Sequence, residues 1–351
     1  MQTILRKGPF VAAAACLVLL ALIVARKRPP DFGTLAAFPW SGFKTIFISI
    51  LLEAVPFVLL GVLVSALLQV FVSERTVRRW TPRHPALGVL FACTLGIVFP
   101  LCECGMIPIV RRLMRKGMPV YIAVTFILAG PILNPVVYAS TFAAFRSHPE
   151  MAYSRMGLAF LVAAAIGLLV RAFVRRSPLK REHPGLASGA DEGGGGRHDH
   201  GRSARGAAHV HGAPGSGKLA ATFGHASDEF FEMGKYLLIG AMLTAVIQSA
   251  VERESLAAIG QGAWSSHLFM MGFAYLLSLC STSDAFVASS FASTFTSGSL
   301  LTFLVFGPML DLKNTLMLLS VFRVRFVLAL AALLAAAVLT GSRLFELYVL
   351  N

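Results

Sequence analysis

The sequence predicts an all-α, polytopic transmembrane bundle of about eight to ten spans, built as two repeat halves with broken or re-entrant helices. Three observations predict it. Hydrophobic residues make up 56% of the 351 and the mean hydropathy is +0.73, while only 14% are charged; a soluble domain carries about 25%. The apolar residues fall in runs near the length that a bilayer demands, about 20 residues. Those runs are interrupted by Pro, Gly and polar residues at corresponding places in the two halves.

Taken in order, residues 1–41 hold a first span, 9–25, and a loop. Arg6 and Lys7 precede that run and Arg26, Lys27 and Arg28 follow it, with no small-x-small cleavage site, so it reads as an uncleaved span rather than a signal peptide. Residues 42–174 form the first membrane half, with runs at 42–72, 86–100, 120–145 and 156–174. Residues 228–351 form the second, with runs at 236–251, 268–279, 300–319 and 326–350. Between the halves, 175–227 is rich in Gly, His, Ser and Pro and poor in large apolar residues. It cannot bury enough surface to offset its ordering entropy and reads as a disordered linker. Its opening basic residues, Arg175, Arg176, Lys180 and Arg181, put this central loop on the cytoplasmic side of a cell inner membrane, although Arg75, Arg78, Arg79 and Arg83 blur an alternating count.

The net charge of +14 sits in short clusters between apolar runs. That is how loops facing anionic lipid are composed, so the lipid bilayer is the expected partner and nucleic acid is not. Five cysteines, mostly inside apolar runs, do not make a disulfide framework.

The interruptions repeat. One run in the first half ends in PLCECG, residues 100–105, and a second break follows at GPILNP, 130–135. In the second half one run ends in LCSTSD, 279–284, and a second break follows at GPMLD, 307–311. Cys102 lies 28 residues before Gly130, and Cys280 lies 27 before Gly307. Pro100, Gly105, Pro108, Gly130, Pro131, Pro135, Gly307 and Pro308 are the candidate hinge or broken-helix residues. Backbone groups freed by such breaks need protein or a wet cavity around them, and matched breaks in two halves point to a transporter's midplane site.

The substrate-binding candidates lie at those breaks. Cys102 and Cys104 can chelate one soft ion, and the positive end of a helix beginning after Gly105 would favour their thiolates. Cys280 holds the equivalent place in the other half and would complete a three-sulfur site for a soft metal or metalloid. Glu103 and Asp284 are acids within apolar runs, where they mark a pathway or proton relay. The same holds for Asp311, which can pair with Lys313 beside the second break, either on the pathway or as a structural ion pair at a membrane interface. Asn134 and Asn314 stand at the second breaks, either contacting substrate or capping helices. Glu53 is a further polar residue within a long run, and His198, His200, His209 and His211 in the linker suggest low-affinity divalent-metal capture. No Ser-His-Asp set, phosphate loop or haem motif is present, so the sequence predicts neither an enzyme nor a cofactor, and any transport would be secondary or powered by a partner.

The stretches PLCECGMIPIVRRLMRKGMP and AVTFILAGPILNPVVYAST, with LCSTSDAFVASSF and FGPMLDLKNTLMLLSVFR in the second half, resemble the predicted-permease family that contains ArsP, the trivalent organoarsenical efflux permease. They are similar above all to its YcgR-like bacterial subgroup. The resemblance covers both membrane halves and omits the linker. It implies a cytoplasmic-membrane permease, a trivalent arsenical bound by Cys102 and Cys104 with Cys280 as a further ligand, and, in the subgroup, a second membrane subunit and a divalent-metal cargo. Where such members often have a small residue between the first two cysteines, this chain has Glu103.

Overall fold

The computed structural model describes residues 40–71, 73–82, 84–98, 102–174, 178–179, 216–250 and 264–349. The expected first span at 9–25, Pro100 and the four linker histidines lie outside these residues.

Thirteen helices follow one another among the described residues. The first half comprises α1 (Trp40–Phe71), α2 (Glu74–Trp80), α3 (Pro85–Val98), α4 (Glu103–Arg115), α5 (Val120–Ala129), α6 (Pro135–Ala144) and α7 (Glu150–Phe173). The second comprises α8 (Ser216–Ala250), α9 (Ser265–Leu277), α10 (Ser283–Ser289), α11 (Ser297–Met309), α12 (Leu312–Val321) and α13 (Val324–Tyr348). Four segments are long and apolar enough to cross a membrane: Gly42–Leu68, Glu150–Phe173, Ser297–Val321 and Val324–Tyr348. Five shorter apolar helices accompany them. A helix of ten residues rises only about 15 Å, half of a hydrocarbon core of about 30 Å, so α5 and α6 are each pieces of interrupted spans, whereas the stretch Met233–Ser249 belongs to the 35-residue α8.

Local chemistry sets the interruptions. Asn134 caps α6 through Oδ1, which accepts from the Val136 N–H at 2.8 Å, and Pro135 takes the first helical position, where a missing N–H costs nothing. Asp311 caps α12 by accepting from the Asn314 N–H at 2.5 Å, and Thr296 caps α11. Helix α4 begins at Glu103, with Cys102 as its N-cap, rather than after Gly105 as the sequence suggested.

Gly105 has a packing role. A Cβ at Gly61 would overlap the backbone of Gly105, and one at Gly105 would stand 2.9 Å from the Phe57 carbonyl oxygen. The two glycines let α1 and α4 cross with their backbones touching, as small residues do at membrane-helix interfaces. Gly130 likewise lies in ordinary right-handed helical conformation, and a Cβ there would run into Met106. Close backbone packing against α1 accounts for Gly105, while Gly130 closes α5 at the break beside the movable end of Met106.

The two halves share much of their packing. Helix α3 packs on α5 as α9 packs on α11; α5 on α7 as α11 on α13; α4 on α5 as α10 on α11; and α6 on α7 as α12 on α13. Across the halves α4 meets α12 while α10 meets α6, and α1 meets α8. Exchanging the halves maps each of these contacts onto another or onto itself, whereas the extensive packing of α1 on α4 and of α8 on α12 has no such counterpart among the described residues.

Both ends of the stretch expected to be a linker include described residues. The Pro178 carbonyl accepts a hydrogen bond from the Arg323 N–H at 3.0 Å and Leu179 bridges to Phe322, docking the start of the loop onto the α12–α13 junction. Helix α8 begins at Ser216, inside the stretch read as linker.

Candidate site where the two broken helices meet

A cavity of about 200 Å³ lies where α4, the segment between α9 and α10, and the start of α12 converge on α1. Thr45, Ser49, Glu53 and Phe57, spaced one turn apart on α1, form one wall, and Gln248 closes another side. Cys102, Glu103, Cys104, Cys280 and Lys313 line the remainder. The structure therefore gathers all three cysteines expected to bind substrate into one pocket. Cys102, the N-cap of α4, and Cys104 stand two residues apart, and Cys280 meets the Thr282 hydroxyl at 3.4 Å. Cys102 and Cys280 are partly accessible, whereas Cys104 is buried. Among the described residues, no group of three or more His, Cys, Asp or Glu side chains is arranged to hold a metal ion. The three thiols share a pocket without forming a ready-made three-sulfur chelate.

The charges around the pocket join the halves. The Lys313 ammonium, on α12, is 3.4 Å from Glu103 Oε1 on α4 and 3.8 Å from Asp311 Oδ2. The expected Asp311–Lys313 pair is present, but the shorter contact is to Glu103 of the other half. All three groups are buried, where each charge needs a partner to be tolerated. Glu103 also sits in the first turn of α4, where the helix dipole favours an acid.

Asp284 does not line the pocket. Its Oδ2 accepts from Arg155 Nη2 on α7 at 2.8 Å, and the same nitrogen donates to the Ser281 carbonyl at 3.0 Å, while Nη1 donates to the Thr141 hydroxyl at 2.7 Å. Asn134, Asp311 and Asn314 are not lining residues either: Asn134 and Asp311 cap helices, and the Asn314 Nδ2 donates to the Met309 carbonyl at 3.3 Å.

The second-half break is held by its neighbours. Ser278 takes a left-handed conformation, φ 46°, which a non-glycine residue adopts at a cost. Around it, Gln248 Nε2 donates to the Leu277 carbonyl and the Lys313 N–H donates to Ser278 Oγ at 3.4 Å. Groups freed from the helical ladder are thus met by α7, α8 and α12, as the hydrocarbon interior demands.

Sequence reasoning missed Arg155, because the span was read from residue 156, one position beyond it. Helix α7 starts at Glu150, which makes Arg155 a charge inside an apolar helix and so a signal by itself. Gln248 gave no comparable signal. A third polar cluster was also missed: buried His267 contacts Thr302 at 2.7 Å, Ser342 at 3.1 Å and Glu346 at 3.0 Å, and Glu346 accepts from Arg343 at 2.6 Å.

Comparison with known proteins agrees with this architecture. The family ArsP_1, described as "Predicted permease", matches residues 39–347, nearly the whole chain. This chain belongs to the predicted-permease family. It is a multi-pass membrane permease, as its family and its apolar helices together show. It is 46% identical over 306 residues to the UPF0718 protein YcgR of Bacillus subtilis (strain 168), covering 86% of this chain and 96% of that one. It is 35% identical over 283 residues to the "Putative two-component membrane permease complex subunit" of Streptococcus mutans serotype c (strain ATCC 700610 / UA159), covering 81% of this chain and 88% of that protein. No solved structure matches the chain significantly.

Proposed function

We propose that this permease moves a soft metal or metalloid, a trivalent arsenical being the first candidate, through the pocket shared by Cys102, Cys104 and Cys280. The observation that carries the reading is the meeting of these thiols, drawn from both halves, in one partly accessible cavity. Two thiols two residues apart in the first turn of α4 suit a cargo that needs two sulfur bonds, with Cys280 on the same cavity as a third. Zinc, which takes four ligands in tetrahedral geometry, is less well served among the described residues. Glu103 and Lys313 would balance charge beside the cargo, while Asp284, Asp311, Asn134 and Asn314 act on the frame rather than on the cargo. Export from the cytoplasm is what the likeness to organoarsenical efflux permeases implies. We place the chain in the cytoplasmic membrane with its central loop inside, as the Lys and Arg bias supports. A divalent-metal cargo collected by His198, His200, His209 and His211 is the alternative that the linker composition favours.

The test is cargo binding by the purified full chain in detergent, using phenylarsenite as probe. Saturable binding that Cys102→Ser weakens by at least about tenfold, or roughly 1.4 kcal/mol, supports the reading. Equal binding by the parent and by Cys102→Ser, Cys104→Ser and Cys280→Ser removes it.

A second reading is favoured by one relative, whose printed name makes it a complex subunit: the chain forms half of a two-component permease. Flux by the purified chain alone in vesicles would count against this, and flux only with a co-purified membrane partner would establish it.

A further inference from the structure

Arg155 touches the second-half break at two points. Its Nη2 donates to the Ser281 carbonyl and to Asp284 Oδ2, while the Ser283 and Asp284 N–H groups both donate to the Cys280 carbonyl at 3.0 Å. One guanidinium from the first half thus clasps the turn that carries Cys280 in the second. The Thr141 hydroxyl, itself donating to the Val137 carbonyl at 2.7 Å, orients the guanidinium from α6. The Glu103–Lys313 pair makes a second tie between the halves, so each half supplies one acid and one base to two crossed pairs.

Both ties are incompletely satisfied. Arg155 Nε, Asp284 Oδ1 and Glu103 Oε2 are buried without a hydrogen-bond partner among the described residues. A buried ion pair lies near break-even between Coulomb attraction and desolvation, and one with unused donors and acceptors lies closer still. Such a pair can specify one arrangement of the halves without locking it.

We infer that Arg155 and Asp284 are positioning residues that form a latch between the two halves, holding Cys280 in its place on the pocket wall and releasing it when the halves rearrange during transport. This goes beyond the proposed cargo site and rests only on the permease architecture, so its test contains no cargo.

The full chain with Cys280 as its sole cysteine is purified in detergent, and the rate of thiol alkylation by a maleimide is measured. Replacing the pair by apolar residues of similar size, Arg155→Met with Asp284→Leu, removes the latch without leaving a lone charge. The expected result is a change in the Cys280 alkylation rate of at least about tenfold, with Arg155→Lys returning it to within about threefold of the parent. Thr141→Val, which only loosens the guanidinium, should shift the rate in the same direction by a smaller factor. As a control, a chain with Cys93 of α3 as sole cysteine, carrying the same changes, should keep its rate. Rates within about twofold of the parent in both the paired variant and Thr141→Val overturn the latch. So does an equal rise at Cys93, which would mark general loosening.

Discussion

Lys313→Met isolates the buried charge cluster and can be worked through from the distances. The ammonium is 3.4 Å from Glu103 Oε1 and 3.8 Å from Asp311 Oδ2. At an effective dielectric of ~20 each attraction amounts to roughly 4–5 kcal/mol. Desolvation of three buried groups offsets much of this, but removing only the cation forfeits the attraction and leaves two carboxylates buried together. The expected destabilisation is about 3–5 kcal/mol. The triple variant Lys313→Met, Glu103→Gln, Asp311→Asn removes every charge and retains an Asn cap on α12; it should recover to within about 2 kcal/mol of the parent. The assay is the thermal unfolding midpoint in detergent, followed by circular dichroism, for the parent, Lys313→Met and the triple variant. A Lys313→Met midpoint equal to the parent's, or a triple variant less stable than the single one, would refute the charge-cluster reasoning.

Other consequences follow from the same geometry. Gly61→Leu, which drives a side chain into the Gly105 backbone, should cost about 1–3 kcal/mol or more, seen as a lowered unfolding midpoint, whereas Gly42→Ala, in open space on the same helix, should be near neutral. His267→Phe leaves Thr302, Ser342 and Glu346 with a lost partner and should cost about 1–3 kcal/mol, with Glu346→Gln in the same background adding little because the two share one network. Asn134→Ala removes the α6 cap and should cost about 1 kcal/mol without altering phenylarsenite binding, since Asn134 does not line the pocket.

The fold was legible where hydropathy and length decide it. The runs at 42–72, 268–279 and 326–350 became α1, α9 and α13 with ends displaced by only a few residues, because a bilayer leaves an apolar segment little choice but helix. The matched breaks were legible for a related reason: Pro, Gly, Asn and Asp between apolar runs have specific capping and turn chemistry. The site was legible in its cysteines, which stood at equivalent breaks, but not in its charge pairing. Nothing local says that Lys313 reaches across to Glu103, or that Arg155 takes Asp284, since these partners are far apart in the chain and meet only through packing between the halves. Glu53 and Gln248 show the same limit: an isolated polar residue on an apolar helix does not state which neighbour it faces.

Vesicle flux tests the central claim most directly. The purified full chain, reconstituted alone, is loaded in turn with methylarsenite, arsenite, zinc and copper, with and without a proton gradient. The account predicts movement of a soft, thiol-binding species that is lost in Cys102→Ser and in Cys280→Ser. Flux of any such species that both variants retain in full would contradict a shared cysteine pocket as the transport path.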